Sequence, residues 1–537
     1  MAKIRVPSWL HSSHSNTNIN GQSDEAERKK QNRLSLSGLA GFISKNDQSS
    51  QQSSASETEA TPASVTGSAP VNTAFDSSTS TMIQLAKKIT EETEKLDKYI
   101  KENNLPAPGF GADAPTDFPK LPDDIQKSRQ EIVYATKELG QLVRGPREQV
   151  RWGVWNFLDT LSLQLITSYG IAKLVPFDKP IELTELQTKT TLDPVNLARA
   201  LRHAMTNQMF CEPSPGLIAH TAASRVLAED EALQGWVGFN AEDIFPAAAH
   251  SLQALRAHPE ATSLTRTGFN FASNTVDVEP MFATFGKDPK RAKRMGLAMA
   301  SLTGGEGYEL SHFVDNYDLS DVDAKEGTFV DIGGSHGFVC VDLGKKWKKT
   351  KFVVQDLQKT VDSAPKPLSE DEDVDKRVTL QAHDFFTEQP VKGADVYYFR
   401  WILHNYSTVY AIKIIKSLIP ALKPGARVVI NDHCLRDFGA ENPWDEKIIR
   451  SMDMVMLALL NAQERTEQEF KELFKTVDER FVFKGVTRTP GCRMSVVEAV
   501  WQPESVEKIE AVEVVDTPAE EIKVENGETP AAAAKYV

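Results

Sequence analysis

The sequence predicts an α/β protein in two parts. A helical domain of winged-helix type comes first, followed by a doubly wound parallel sheet that ends in an antiparallel hairpin. Three observations carry this prediction. Between residues 328 and 430, β-branched and aromatic runs alternate with helical patterns, as parallel strands joined by crossovers require. The first run, Phe329-Val-Asp-Ile332, enters the glycine-rich turn Gly333-Gly-Ser-His-Gly337 and then a helical pattern at 338–347. Two final strand patterns, 480–486 and 494–501, flank Arg488-Thr-Pro-Gly491.

Composition bounds the function. With 537 residues the chain can form two or three domains, and 25% charged with 40% hydrophobic residues is a water-facing composition. A net charge of −14 argues against coating nucleic acid. No apolar run reaches the roughly 20 residues of a membrane span, and the N-terminus lacks the apolar core of a secretory signal. Cys211, Cys340, Cys434 and Cys492 are far apart and form no C-x-x-C pair. They point to a reducing compartment, the cytoplasm by default, with neither a disulfide framework nor a zinc site.

Along the chain, residues 1–80 form a Ser-, Thr-, Asn- and Gln-rich leader, with too little apolar surface to offset chain entropy. Its basic run Arg28-Lys-Lys30 is expected to be a solvated charge run. Residues 81–124 hold a one-sided helix marked by Met82, Leu85, Ile89, Leu96, Tyr99 and Ile100, then a Pro/Gly-rich spacer. Residues 125–303 read as the helical domain. Helical patterns cover 125–143 and 152–171, and Asp193 caps a helix with Pro194 at its first position. Two short strands then surround Glu212-Pro-Ser-Pro-Gly216, giving the winged-helix order. Arg199 and Arg202 alone are few for tracking phosphates, so this wing is expected to serve dimerisation or to cover substrate rather than bind DNA. Helical patterns at 241–258 and 280–302 end at Gly304-Gly305, where the sheet domain, 304–502, begins. Residues 503–537 form an acidic tail expected to be disordered.

The ends of the predicted strands converge on one ligand. The glycine-rich turn brings bare backbone to a helix N-terminus, which suits a dinucleotide or S-adenosylmethionine equally. Asp356 ends the second strand, 351–355, where an acid accepts bonds from ribose hydroxyls of either. The third strand ends at His383-Asp384-Phe385-Phe386, an acid and aromatics suited to an adenine. The fourth, 394–399, leads into Arg400-Trp-Ile-Leu-His404, and the fifth, 426–430, into Asn431-Asp432-His433. The turn does not fit G-x-G-x-x-G, and an edge hairpin is foreign to the all-parallel dinucleotide sheet, so S-adenosylmethionine is favoured.

These residues resemble the plant-type small-molecule O-methyltransferases, the caffeic acid-like class I family, and look most similar to fungal enzymes acting on polyketides. The resemblance spans roughly residues 130–502. It rests on 329–337, Arg400-Trp-Ile-Leu-His-Asn-Tyr-Ser407, Leu422-Lys-Pro-Gly-Ala-Arg-Val-Val429 and Glu464-Arg-Thr-Glu-Gln-Glu-Phe470. It implies a class I methyltransferase domain behind a winged-helix dimerisation domain, a homodimer, and a small aromatic substrate, with neither nucleic acid nor membrane as partner. It assigns general-base catalysis to His404, flanked by Asp432 and Glu464. Cofactor binding falls to Asp331, Gly333, Gly334, Gly337, Asp356, Asp384, Phe385 and Arg400, and acceptor binding to Met452 and Met456. Tyr406 stands where the plant pattern has tryptophan, Asp432 where it has glutamate, and the turn contains His336.

The implied reaction is methylation of a phenolic hydroxyl on a secondary metabolite. A phenol titrates near pH 10 and is a poor nucleophile at neutrality. A positioned imidazole taking its proton contributes typically ~10²–10⁴-fold. Glu464 or Asp432, bonded to the other ring nitrogen, would fix the tautomer. No carboxylate cluster beside the acceptor site suggests a metal. Methylation of an aromatic amine, or a catalytically inactive regulator on the same scaffold, are the alternatives the residues leave open.

Overall fold

The computed structural model describes residues 80–503. The polar leader, its basic run and the acidic tail lie outside the described residues. A helical hairpin comes first, Thr81–Glu102 against Asp123–Arg144. The Ser80 side chain accepts from Ile83 N at the first helix's start.

The pattern predicted as one helix over 152–171 is broken: three helices cover this region, Pro146–Gly153, Phe157–Ser168 and Ile171–Leu174. Gly170 breaks the last junction with a φ of 62°, a left-handed conformation that ends a helix. The helix Pro194–Met205 begins at its predicted cap, with Asp193 Oδ1 accepting from Val195 N at 3.0 Å and Asn196 N at 3.1 Å. Strands β1 (Ile181–Glu182), β2 (Cys211–Ser214) and β3 (Leu217–Ala219) pair in the order β1-β3-β2, so the wing has a third strand that the sequence reading did not separate. Arg202 is bonded twice to Glu212, at 2.8 and 3.0 Å, and so faces the wing's own turn. The pattern predicted as a single helix over 280–302 splits into Met281–Lys287 and Pro289–Thr303. Pro289 lacks the N–H that continuity requires, and Asp288 caps the second helix.

The sheet domain contains β4 (Thr328–Ile332), β5 (Lys351–Asp356), β6 (Val378–Ala382), β7 (Val396–Arg400) and β8 (Arg427–Asp432). A short pair, β9 (Cys434–Leu435) and β10 (Arg465–Thr466), stands apart, and β11 (Phe481–Arg488) with β12 (Ser495–Trp501) forms the hairpin. The large sheet runs β11-β12-β8-β7-β4-β5-β6. Its β4, β5, β6, β7 and β8 are parallel, while β12 pairs antiparallel with both β8 and β11. The chain therefore reverses direction beside β4, and such a switch point opens a crevice at the carboxyl ends of the strands.

Both faces are covered, which is why these strands read as continuous apolar runs. On one side Val330, Ile332, Phe399, Val428 and Ile430 pack with the helices Thr408–Lys416 and Glu467–Val477. On the other, Phe329, Val354, Val396, Tyr398 and Val429 pack under Phe338–Lys346. Fully burying each such side chain contributes about 1.5–3 kcal/mol. The helix Pro443–Leu460 joins the two parts: Met456, Ala458, Leu459 and Leu460 enter an apolar cluster with Phe239, Phe269 and Phe285. Gly268 permits a close approach there, since a Cβ on it would lie 2.3 Å from the Ala247 carbonyl. Among the described residues no helix is long and apolar enough to cross a membrane.

Candidate functional site

The glycine-rich turn follows β4. Gly333 and Gly334 both donate their N–H to the Gln355 carbonyl, at 2.7 and 3.1 Å, which folds the turn back over β5. A Cβ on Gly333, whose φ is +75°, would meet Ile402 Cδ1 at 2.5 Å. One on Gly334 would meet the Asp331 carboxyl at 2.5 Å and Val354 Cγ1 at 2.8 Å. Only glycine fits this cradle. Asp356, at the end of β5, accepts from Ser335 N at 3.0 Å, so it braces the turn while partly exposed. Gly337 caps the following helix with a φ of +82°.

The remaining predicted cofactor residues sit at neighbouring strand ends. Asp384, exposed after β6, accepts from Phe386 N at 3.0 Å. Phe385 packs edge-on to Tyr406, with ring centroids 5.8 Å apart. Arg400 ends β7; it donates to Asn431 Oδ1 and, at 3.0 Å, to the Tyr308 carbonyl. Asp331 is placed differently from the open strand ends. Its carboxyl is buried beneath Gly334, with Cys340 Sγ donating to it across 3.7 Å. Burial pushes that carboxyl up to about 7.

Beyond β7 the chain turns sharply. Trp401 has a φ of 57°, and Leu403–Asn405 forms a single 3-10 turn that carries His404 inward. The turn is clamped from below by Arg465, which is 2% exposed and donates to the carbonyls of Leu403 at 2.8 Å and Tyr406 at 2.6 Å. Glu464 is delivered next to it by the parallel pairing of β10 with β9, which registers Arg465 against Cys434. The backbone of Glu464 is held by Asp453, whose Oδ1 accepts its N–H at 2.9 Å.

His404 Nδ1 lies 2.9 Å from Glu464 Oε1. Burial pushes the carboxyl of Glu464 up, but the attraction and hydrogen bonds of His404 and His433 outweigh it and hold the group at about 2. A carboxylate can only accept, so Nδ1 of His404 carries the hydrogen and Nε2 is the basic nitrogen. Burial lowers the imidazolium of His404; the attraction of Glu464 reverses this, and the net shift is upward. Of the two acids, either of which could bond the other ring nitrogen, the structure gives that place to Glu464. Asp432 Oδ2 accepts the backbone N–H of His404 at 3.1 Å and does not bond the ring. Its side chain is one methylene shorter than glutamate and its own pKa is raised, chiefly by burial.

The two predicted acceptor residues also part company. Met456, 6% exposed, is packed in the apolar cluster of the helical part, whereas Met452 is half-buried at that cluster's edge. Arg465, Trp401, Tyr308 and His433 were not singled out for the site by the sequence. Arg465 is inside the motif that supplied Glu464, and His433 directly follows Asp432. Among the described residues, no group of three or more His, Cys, Asp or Glu is arranged to hold a metal ion.

Residues 272–478 match the O-methyltransferase domain family. The chain is 66% identical over 425 residues to a chlorophenol O-methyltransferase of Trichoderma longibrachiatum, covering 79% of this chain and 91% of that protein. The chain belongs to the O-methyltransferase family. The O-methyltransferase gsfB of Penicillium aethiopicum is 35% identical, with 80% of this chain and all of that protein covered. The crystal structure of OxaC superposes with a TM-score of 0.62 at 21% identity, over 78% of this chain and 99% of that one, and shares the class I fold. As an O-methyltransferase of this class the protein takes its methyl group from S-adenosylmethionine, and a turn that admits nothing but glycine beside Asp356 fits that ligand.

Proposed function

We propose that this O-methyltransferase methylates a phenolic hydroxyl of an aromatic acceptor, with His404 as the general base. One observation carries the reading: Nδ1 of the buried His404 is anchored to Glu464 at 2.9 Å, while Nε2 makes no hydrogen bond among the described residues. The bound cofactor supplies a methyl group on a sulfonium. His404 Nε2 takes the acceptor's proton as its oxygen becomes nucleophilic, and Glu464 stabilises the imidazolium so formed. Gly333, Gly334, Gly337, Asp356, Asp384, Phe385 and Arg400 hold the donor, with Asp331 supporting the turn from beneath. Met452 lines the acceptor side, with Met456 backing the helix that carries it.

The name of the Trichoderma relative, a chlorophenol O-methyltransferase, supports a phenol as acceptor. Aromatic secondary metabolites of polyketide type fit the same chemistry. We further propose a homodimer formed through the helical part. Val150, Trp152, Val154, Trp155 and Phe157 are all exposed there, an apolar patch that a second copy would cover. Four free cysteines support the cytoplasm as its compartment.

The test is turnover of labelled S-adenosylmethionine with chlorophenols and a panel of hydroxylated aromatics, wild type against His404→Ala. Loss of ~10²–10⁴-fold in kcat is expected. Equal turnover by both proteins would sink the base assignment, and methylation confined to aromatic amines would overturn the phenol.

A further inference from the structure

Glu464 serves two histidines, and the mechanism above uses only one. Its Oε1 accepts from His404 Nδ1 at 2.9 Å and lies 3.2 Å from His433 Nδ1. Its other oxygen, Oε2, is buried without a hydrogen-bond partner among the described residues. His433 is itself fully buried at the end of β8, and its Nε2 is 3.2 Å from the Tyr308 hydroxyl. Since Glu464 is acceptor-only, His433 also carries a hydrogen on Nδ1. In the neutral ring Nε2 is then the acceptor, and Tyr308 donates to it. Burial holds its phenol up at about 12, so the O–H is intact across the working range. The chain of donation runs Tyr308 to His433 to Glu464, where it meets His404 arriving from the other side. Trp401 packs against both imidazoles, at 4.9 Å to each ring, and keeps them apart.

We propose that His433 is a positioning residue that sets the basicity of His404 by sharing the one carboxylate oxygen that activates it. The inference rests on His404 being the base. A second donor on Oε1 draws electron density from the bond to His404, so His433 moderates how strongly Glu464 favours the imidazolium. Tyr308 strengthens that effect, because donation into Nε2 makes the Nδ1 hydrogen of His433 a better donor. The other charged groups facing this array are Asp432 and Arg465 beside His404, Asp453 behind Glu464, and Asp445 and Arg493 at Tyr308, Arg493 lying over its ring at 5.5 Å. None of them bonds Oε1, so among the described residues His433 alone shares that atom with the base.

The experiment is the pH profile of kcat/KM together with a ¹⁵N titration of the imidazoles by NMR, the second needing neither substrate nor turnover. In wild type the acid limb should coincide with the His404 titration and vanish from the spectrum in His404→Gln. His433→Leu should move both the limb and the His404 titration to higher pH, by about half a unit or more. His433→Asn, whose side-chain N–H₂ can occupy the place of Nδ1, should restore both. Tyr308→Phe should move them the same way by less, and it stands in if His433→Leu does not fold. Lower kcat in His433→Leu with limb and titration unmoved would overturn the proposal and leave a structural role only; so would a downward shift. If instead His404→Gln kept full turnover, the base reading itself would fall, and that outcome is separate from any result at His433.

Discussion

Replacing Glu464 with Gln removes one charge from a buried site and little volume. The shorter of its two contacts is the one to the base: Oε1 to His404 Nδ1 at 2.9 Å, against 3.2 Å to His433 Nδ1, with the carboxyl held at about 2 in the folded protein. Hydrogen bonds to a charged group contribute about 1.5–3 kcal/mol. The share realised only when His404 becomes an imidazolium therefore corresponds to ~10–100-fold in kcat. The sign on pH is separate. Glu464 raises the pKa of His404, so the wild-type base is neutral only above an elevated value, and kcat/KM falls as pH drops through it. Glu464→Gln returns that pKa downward, so the acid limb moves to lower pH while the plateau falls. The same bond makes a stability statement. The depressed Glu464 carboxyl contributes stability present above its unfolded pKa near 4.3 and lost as pH falls toward 2. The raised His404 contributes stability present below about 6.5 and lost as pH rises through its folded value. Wild type should have its steepest melting-temperature losses outside that interval, and Glu464→Gln should flatten them. Initial rates from pH 5 to 10, with S-adenosylhomocysteine titration calorimetry to verify the donor site, measure all of this. A plateau within twofold of wild type, with the acid limb unmoved, would refute the assignment of Glu464 to the ring.

Asp432→Asn keeps an acceptor for His404 N–H and should lower kcat less than Glu464→Gln, whereas Asp432→Leu orphans that N–H and should lower the melting temperature by an amount worth about 1–3 kcal/mol. Gly334→Ala should abolish S-adenosylhomocysteine binding by calorimetry while leaving a folded, less stable protein, because its Cβ falls 2.5 Å from the Asp331 carboxyl and 2.8 Å from Val354. Asp331→Asn should raise stability at pH 8 but not at pH 4: a carboxyl raised to about 7 favours the folded state only while protonated, and ionising it costs on the order of 2–4 kcal/mol between pH 4 and 7. Trp155→Glu, which places a charge in the exposed apolar patch, should shift light-scattering mass from dimer to monomer at micromolar protein; an unchanged mass would remove that patch from the interface.

The sheet was legible because its information is local. Each strand from β4 to β8 is an apolar run punctuated by a turn, and the hairpin of β11 and β12 is marked by Pro490 and Gly491. Helix starts were legible where a side chain caps them, as at Asp193. Helix continuity was not, since apolar periodicity persists across a break. The patterns over 152–171 and 280–302 kept their period while Gly170 and Pro289 interrupted the backbone. Short strands carry the least local signal of all. β9 and β10 have two residues each, too few for any alternation, and their pairing spans 29 residues of intervening chain.

That weak signal bears directly on the site. The sequence pointed to His404 and Glu464 through motifs, but what joins them is the register of β10 against β9, which no local pattern encodes. The same register brings His433 to the other side of Glu464, although its only mark in the sequence is adjacency to Asp432. The division of labour between the two acids had one mark in the sequence, the shorter aspartate at 432 where the plant pattern has glutamate. Asp432 and Glu464 are equivalent as charges near a histidine, yet one is spent on a backbone N–H and the other on the ring. The difference comes from side-chain length and from where the chain enters. Asp432 ends β8 directly behind the 3-10 turn, so its short side chain meets the His404 backbone first. Glu464 arrives from the loop beyond the helix Pro443–Leu460, and the longer side chain reaches Nδ1. Basicity at His404 is therefore a tertiary property. It depends on Arg465, which holds the turn's carbonyls and faces His404 as a charge, and on Asp453 holding the Glu464 backbone, so substitution at either should change the rate.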